Sequence, residues 1–184
     1  MKNIMTSFKH KKLRILQKNN ADSHHHPQEK ILQLEKFEKH IYGEILEVFA
    51  GAGNLTKYYE KLGKVTALKK EVTGDSFEFI YKLRADQKKY DVIDIDGYGY
   101  PSKFFPIVFE MLKSEGLLIF TFPVIGVQNL NGITEQHFIN FWGSARPTIG
   151  DVTGKVTDYG LREWQLVSLL SCTKIKKIWR FIFQ

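Results

Sequence analysis

The strongest constraint on the fold is an alternation between short apolar runs and stretches whose apolar residues recur every three or four positions. Ile45–Phe49, Lys64–Leu68, Tyr90–Ile95 and Leu117–Phe122 read as buried strands. A helix from Asn54 to about Leu62, one through Phe77, Ile80, Tyr81 and Leu83, and one over Pro101–Leu112 lie between them. A further helix over Gln28–Ile41 carries Ile31, Leu34, Phe37 and Ile41 on one face. Strand–helix–strand units close by right-handed crossovers, so the pattern predicts α/β architecture: a doubly wound, mostly parallel sheet with helices on both faces. About twenty residues, 70–89, separate the second and third strands, so the sheet is expected to be reduced in the middle by one strand–helix unit.

The two ends are less regular. Residues 123–133 read as a loop, 134–142 as a short helix and 143–157 as a loop rich in glycine and threonine. Asp158 is expected to cap a helix through about Leu170, and Ile175–Phe183 to form the last strand. Residues 1–28 read as a basic N-terminal extension and 29–184 as one domain. Within the extension, His24, His25 and His26 are adjacent and cannot converge on one ion without distortion, and no second pair stands at ligand spacing, so no metal is expected. The lone Cys172 excludes an internal disulfide and suits a cytoplasmic setting. No apolar run approaches the ~20 residues of a membrane helix, and the basic start has no apolar core of a secretory signal. A net charge of +7 favours a polyanionic partner such as nucleic acid.

Two stretches carry candidate chemistry. In EVFAGAGNLTKYYEKLG, Gly51 and Gly53 fall just past the first strand and before a helix capped at Asn54. The glycines serve either a tight turn or a ligand that must approach the backbone. In DVIDIDGYGYPSKFFP, Asp94 and Asp96 point to the same side of the third strand, with Asp96 at its carboxyl end. Followed by Gly97, Tyr98, Gly99 and Tyr100, these acids either cap the next helix or hold a planar, amino-bearing base against an aromatic face.

EVFAGAGN resembles motif I of the class I S-adenosylmethionine-dependent methyltransferases, and DIDGYGYP resembles the motif IV loop of amino-methylating members. The longer segment DVIDIDGYGYPSKFFPIVFEMLKSEGLLIFTF is similar to the tRNA guanine N2-methyltransferases; the likeness spans roughly residues 44–125. It implies a Rossmann-like fold, S-adenosylmethionine as cofactor, and a nucleic-acid amine as target, RNA rather than DNA. It assigns Glu47, Ala50, Gly51, Gly53 and Asn54 to the cofactor wall, and Asp94, Asp96 and Tyr98 to the target amine. Gly97 replaces the family's usual proline. Leu68-Lys69-Lys70 stands where the second strand normally ends in a ribose-binding acid, which leaves Glu71 as the nearest carboxylate. Asp75, in GDSF, is the candidate for holding the adenine. These departures motivate an alternative: a methyltransferase fold without catalysis that binds nucleic acid or a protein partner. The C-terminal KIKKIWRF reads either as an edge strand guarded by lysines or as a basic–aromatic grip on nucleic acid.

Overall fold

The structure is a computed structural model that describes residues 26–69, 75–97, 101–123 and 135–184. Helix α1 (Pro27–Glu35) is followed by a 3-10 turn at Glu38–His40, so the expected single helix to Ile41 is broken near Phe37. Strand β1 (Gly43–Val48), helix α2 (Asn54–Tyr59) and strand β2 (Gly63–Leu68) follow. Next come α3 (Ser76–Ala85), β3 (Tyr90–Ile95), a 3-10 turn (Pro101–Phe104) leading into α4 (Phe105–Met111), and β4 (Leu112–Pro123). The chain closes with α5 (Glu135–Trp142), α6 (Ile149–Arg162), β5 (Leu169–Ile175) and β6 (Ile178–Phe183).

The sheet order is β2-β1-β3-β4-β6-β5. The first four strands in that order are mutually parallel, and β6 and β5 join antiparallel. This is the doubly wound α/β sheet that the alternation predicts, with β2 at one edge among the described residues. Successive side chains on a strand face opposite ways, and the core divides accordingly. Leu46, Val48, Ile93, Ile95, Phe120 and Phe181 face the helices α3 to α6. Ile45, Val92, Ile119 and Ile182 face α1 and α2, where Leu34, Leu55 and Tyr59 cover them.

The C-terminal third departs from expectation. Residues 149–157 are helical, Asp158 lies inside α6, and the helix ends at Arg162. Thr148 caps it: the hydroxyl accepts from the Asp151 N–H, and the Asp151 side chain accepts from the Thr148 N–H in return. This reciprocal box offsets the glycines that make the segment read as a loop, and Val152 and Val156 bury one face. We expect Thr148→Ala to destabilise the protein by about 1 kcal/mol, read as a shifted urea midpoint with an unchanged slope. The expected single last strand is a hairpin instead, turning at Lys176 in the left-handed region, φ 51°. β6 therefore lies between β4 and β5, and β5 takes the edge. KIKKIWRF accordingly spans the hairpin: Lys174 and Ile175 end the edge strand β5, and Ile178–Phe181 belong to the inner strand β6. Its Arg180 is fully buried and not available to grip nucleic acid from the surface, and Lys174 lies 5.8 Å from the Trp179 ring.

Candidate functional site

The carboxyl ends of β1 and β3 sit side by side: Glu47 registers with Asp94, and the Asp96 N–H donates to the Val48 carbonyl at 3.2 Å. Both segments open on the α1/α2 side of the sheet. Strand alternation places Glu47, Asp94, Asp96, Thr121 and Arg180 on that face, and α1 and α2 bring Lys30, Thr56 and Tyr59 onto them.

These groups form one buried network. Asp94, inaccessible to solvent, accepts from the Tyr59 hydroxyl at 2.6 Å and from Arg180 Nη2 at 2.5 Å. Asp96 accepts from Lys30 Nζ through both carboxylate oxygens at 2.6 Å, and from the Thr121 hydroxyl at 2.7 Å. Arg180 Nη1 donates to Thr121 Oγ1 at 3.2 Å and lies 3.5 Å from Asp96. Glu47 accepts from the Thr56 hydroxyl at 2.5 Å.

Each charge state has a cause. Burial alone would raise Asp96, but the Arg180 guanidinium and the Lys30 ammonium override it and hold the carboxyl below its ordinary value. Asp94 is raised because burial outweighs Arg180, with repulsion from Asp96 adding to it. Burial pushes Glu47 up to about 8, opposed by the Thr56 hydroxyl and helped by repulsion from Asp94 and Asp96. Burial lowers the Lys30 ammonium against the pull of Asp96. At neutral pH Glu47 therefore carries its proton.

Beside this network lies a small cavity, about 70 Å³, lined by Lys30, Glu47, Ala50, Gly51, Asn54 and Asp96 together with Pro27, Phe49 and neighbouring turn atoms. Its floor is the turn after β1. Gly51 and Gly53 adopt φ of 49° and 76°, and a Cβ at Gly51 would meet nothing closer than the Phe49 carbonyl at 3.9 Å, so the backbone there is bare toward the cleft. Gly53, rather than Asn54, is the residue that precedes the first turn of α2. The Lys69 ammonium lies beside this turn, 2.8 Å from where a Gly53 Cβ would stand. The lysine that departs from the family pattern at the end of β2 therefore lies beside the glycine turn.

Of the residues singled out in the sequence, the structure brings Glu47, Ala50, Gly51, Asn54 and Asp96 to the cavity, with Gly53 in the same turn and Asp94 behind Asp96. Asp75 is elsewhere: it caps α3 by accepting the Phe77 N–H at 2.7 Å and does not line the cavity. Glu71 and Tyr98 lie outside the described residues, as does most of the 123–133 loop. Asp91 works at the far end of β3, where it accepts from the Glu44 N–H and from Lys113 Nζ. Gly97 has a local cause. A Cβ there would lie 2.7 Å from the Phe49 ring, which packs edge-on against Phe104, so the position excludes proline.

The motifs give no role to Lys30, Tyr59, Thr56, Thr121 and Phe49, and Arg180 enters only within the basic–aromatic run KIKKIWRF. Lys30 had a signal: it precedes Leu34, Phe37 and Ile41 at spacings of four, three and four, and so falls on the buried stripe. Arg180 had one too, since it alternates with Ile178 and Ile182 on a strand. Among the described residues, no three His, Cys, Asp or Glu side chains stand together as metal ligands, and no helix is long and apolar enough to cross a membrane.

Neither the comparison with protein-family models nor that with curated proteins finds a match. Solved structures do match. An S-adenosylmethionine-dependent methyltransferase from Clostridium acetobutylicum superposes with a TM-score of 0.53 at 12% identity, covering 99% of each chain. Magnesium protoporphyrin IX methyltransferase from Synechocystis, solved with bound SAH, gives 0.53 at 12% identity over 86% of this chain and 83% of its own. Trm5b from Pyrococcus abyssi gives 0.50 at 11% identity, covering 83% of this chain and 47% of that one. The chain has the Rossmann-like α/β fold of the class I methyltransferases.

Proposed function

We propose that the protein is an S-adenosylmethionine-dependent methyltransferase whose target is an exocyclic amine of a nucleic acid, with guanine N2 of tRNA favoured. One observation carries this reading: the bare turn after β1 and the Asp96 carboxylate share one cleft, and Asp96 already holds an amine there with both oxygens. A carboxylate held ionised at that point can accept N–H bonds from a target amine and orient it. Glu47, Ala50, Gly51, Gly53 and Asn54 form the wall for the cofactor, and the net charge of +7 suits a polyanionic substrate.

Among the described residues, the cavity at this cleft is small. Its volume of about 70 Å³ is far below the ~300 Å³ at which ligand pockets begin. That small volume, together with Lys69 beside Gly53, favours a second reading: a methyltransferase-fold protein that binds nucleic acid without catalysis.

Calorimetric titration with S-adenosylhomocysteine, followed by transfer of labelled methyl groups to RNA and to DNA, separates the two. The first reading expects cofactor binding, methylation of RNA, and in Asp96→Asn a loss of transfer of about 100-fold or more with cofactor affinity nearly kept. Absence of heat and of thermal shift at millimolar ligand would leave the second, which requires RNA binding that weakens steeply with salt and needs no cofactor.

A further inference from the structure

Lys30 is a costly residue to place where it stands. It is 3% exposed on a helix whose other buried positions are Gln33 and Leu34, and its ammonium is desolvated against Asp96. Replacing such a buried ion pair by apolar side chains is often neutral or favourable, whereas removing one partner leaves the other charge buried and uncompensated. What Lys30 does is geometric. It spans the mouth between α1 and the end of β3, and with Pro27 it forms one wall of the cavity that Ala50, Gly51 and Asn54 complete.

The two halves of α1 are held very differently. Its second half is anchored: Leu34 is fully buried, and Gln33 Nε2 donates to the Arg180 carbonyl and the Ser171 hydroxyl, each at 3.1 Å. Its first turn has no side-chain cap hydrogen bond, begins at His26 in the left-handed region with φ 46°, and reaches the sheet through the Lys30–Asp96 pair, with half-buried Ile31 packing beside it on the core. Glu29 and Leu32 are exposed.

We propose that the first turn of α1 is a built-in plug, in which the Lys30 amine occupies the amine-holding carboxylate of Asp96 and must withdraw, pivoting about Gln33 and Leu34, before the cleft admits a nucleoside-sized ligand. The plug rests on the reading of the cleft as a ligand site, and it accounts for the mismatch between the cleft's chemistry and its volume. The apparent affinity of any ligand is divided by the fraction of molecules in which the plug is open. Lys30 is therefore a gating residue and takes no part in chemistry.

The test compares the full-length wild type with Lys30→Ala, and with Lys30→Met, which keeps the stem's packing. Amide hydrogen exchange without ligand is the first readout. Residues 30–32 should exchange about tenfold faster or more in both variants, while Gln33–Glu35 and β1 keep their protection. Unchanged exchange in 30–32, or loss of protection through β1 as well, overturns the plug. Titration with S-adenosylhomocysteine is the second readout, and Lys30→Ala should bind about tenfold tighter or more than the wild type. Equal or weaker binding by Lys30→Ala overturns the plug and leaves the methyltransferase reading standing. Local opening without binding to any of the three proteins supports the plug and removes S-adenosylmethionine as its ligand.

Discussion

Replacing Arg180 by methionine is expected to destabilise the protein by about 3–5 kcal/mol, the cost of leaving buried charge without its partner. The guanidinium is wholly buried, donates to Asp94 at 2.5 Å and lies 3.5 Å from Asp96. Methionine fills most of the same stem volume, so a cavity contributes little and the effect isolates the charge. Two carboxylates then remain in the interior with Lys30 alone to balance them, and one must take up a proton or draw in water. Urea denaturation should show the midpoint fall with the slope preserved. Adding Asp94→Asn should restore part of the loss, because it removes the carboxylate that Arg180 neutralises, and a coupling of about 1–3 kcal/mol is expected for groups in such contact. A single variant within 1 kcal/mol of the wild type would mean that the cluster is hydrated, and the electrostatic account of the site would fail with it.

That network also shows where sequence reasoning stops. The parallel strands were legible because each is a short apolar run bounded by glycine or a helical pattern, and Tyr90–Ile95 matches to the residue. The turn after β1 and the acid at the end of β3 were legible because their residue types are unusual in such places. The cations were not. Lys30 and Asp96 are 66 positions apart, Arg180 and Asp94 are 86 apart, and only the order β3-β4-β6 under α1 unites them. A lysine counts toward surface charge until something shows that its stripe is buried. The C-terminal third was misread for a different reason. Gly150, Gly154 and Gly160 lower helix propensity, whereas the decisive signal, Thr148 with Asp151 three residues later, is two residues long. Asp75, which the motif points to as a ligand residue, accepts from a helix N-terminal N–H, a role its motif does not reveal.

Glu47→Gln should reverse part of the protein's loss of stability on going from acid to mildly basic pH. The Glu47 carboxyl is raised to about 8 in the folded state, chiefly by burial, whereas the unfolded chain releases the same proton near 4.5. Between those values the native state binds more protons than the unfolded one, so stability falls as pH rises. The contribution is complete below about pH 4.5, declines by up to about 1.4 kcal/mol per pH unit, and is gone above about pH 8. Over the window that amounts to about 5 kcal/mol. Asp96, held below its ordinary value, acts with the opposite sign but in more acidic solution: its contribution is present above about pH 4 and is lost only as pH falls further. Glutamine copies the shape of the protonated acid and can still accept from Thr56. The two proteins should therefore be nearly equal in stability at pH 5, and the variant should become progressively more stable toward pH 8. Urea midpoints at each pH measure the difference directly, and curves that stay parallel would mean that Glu47 is ionised in the native protein. An ionised Glu47 would add a negative charge beside Asp94 and Asp96, and the Lys30 plug would be held more tightly than its contacts with Asp96 alone imply.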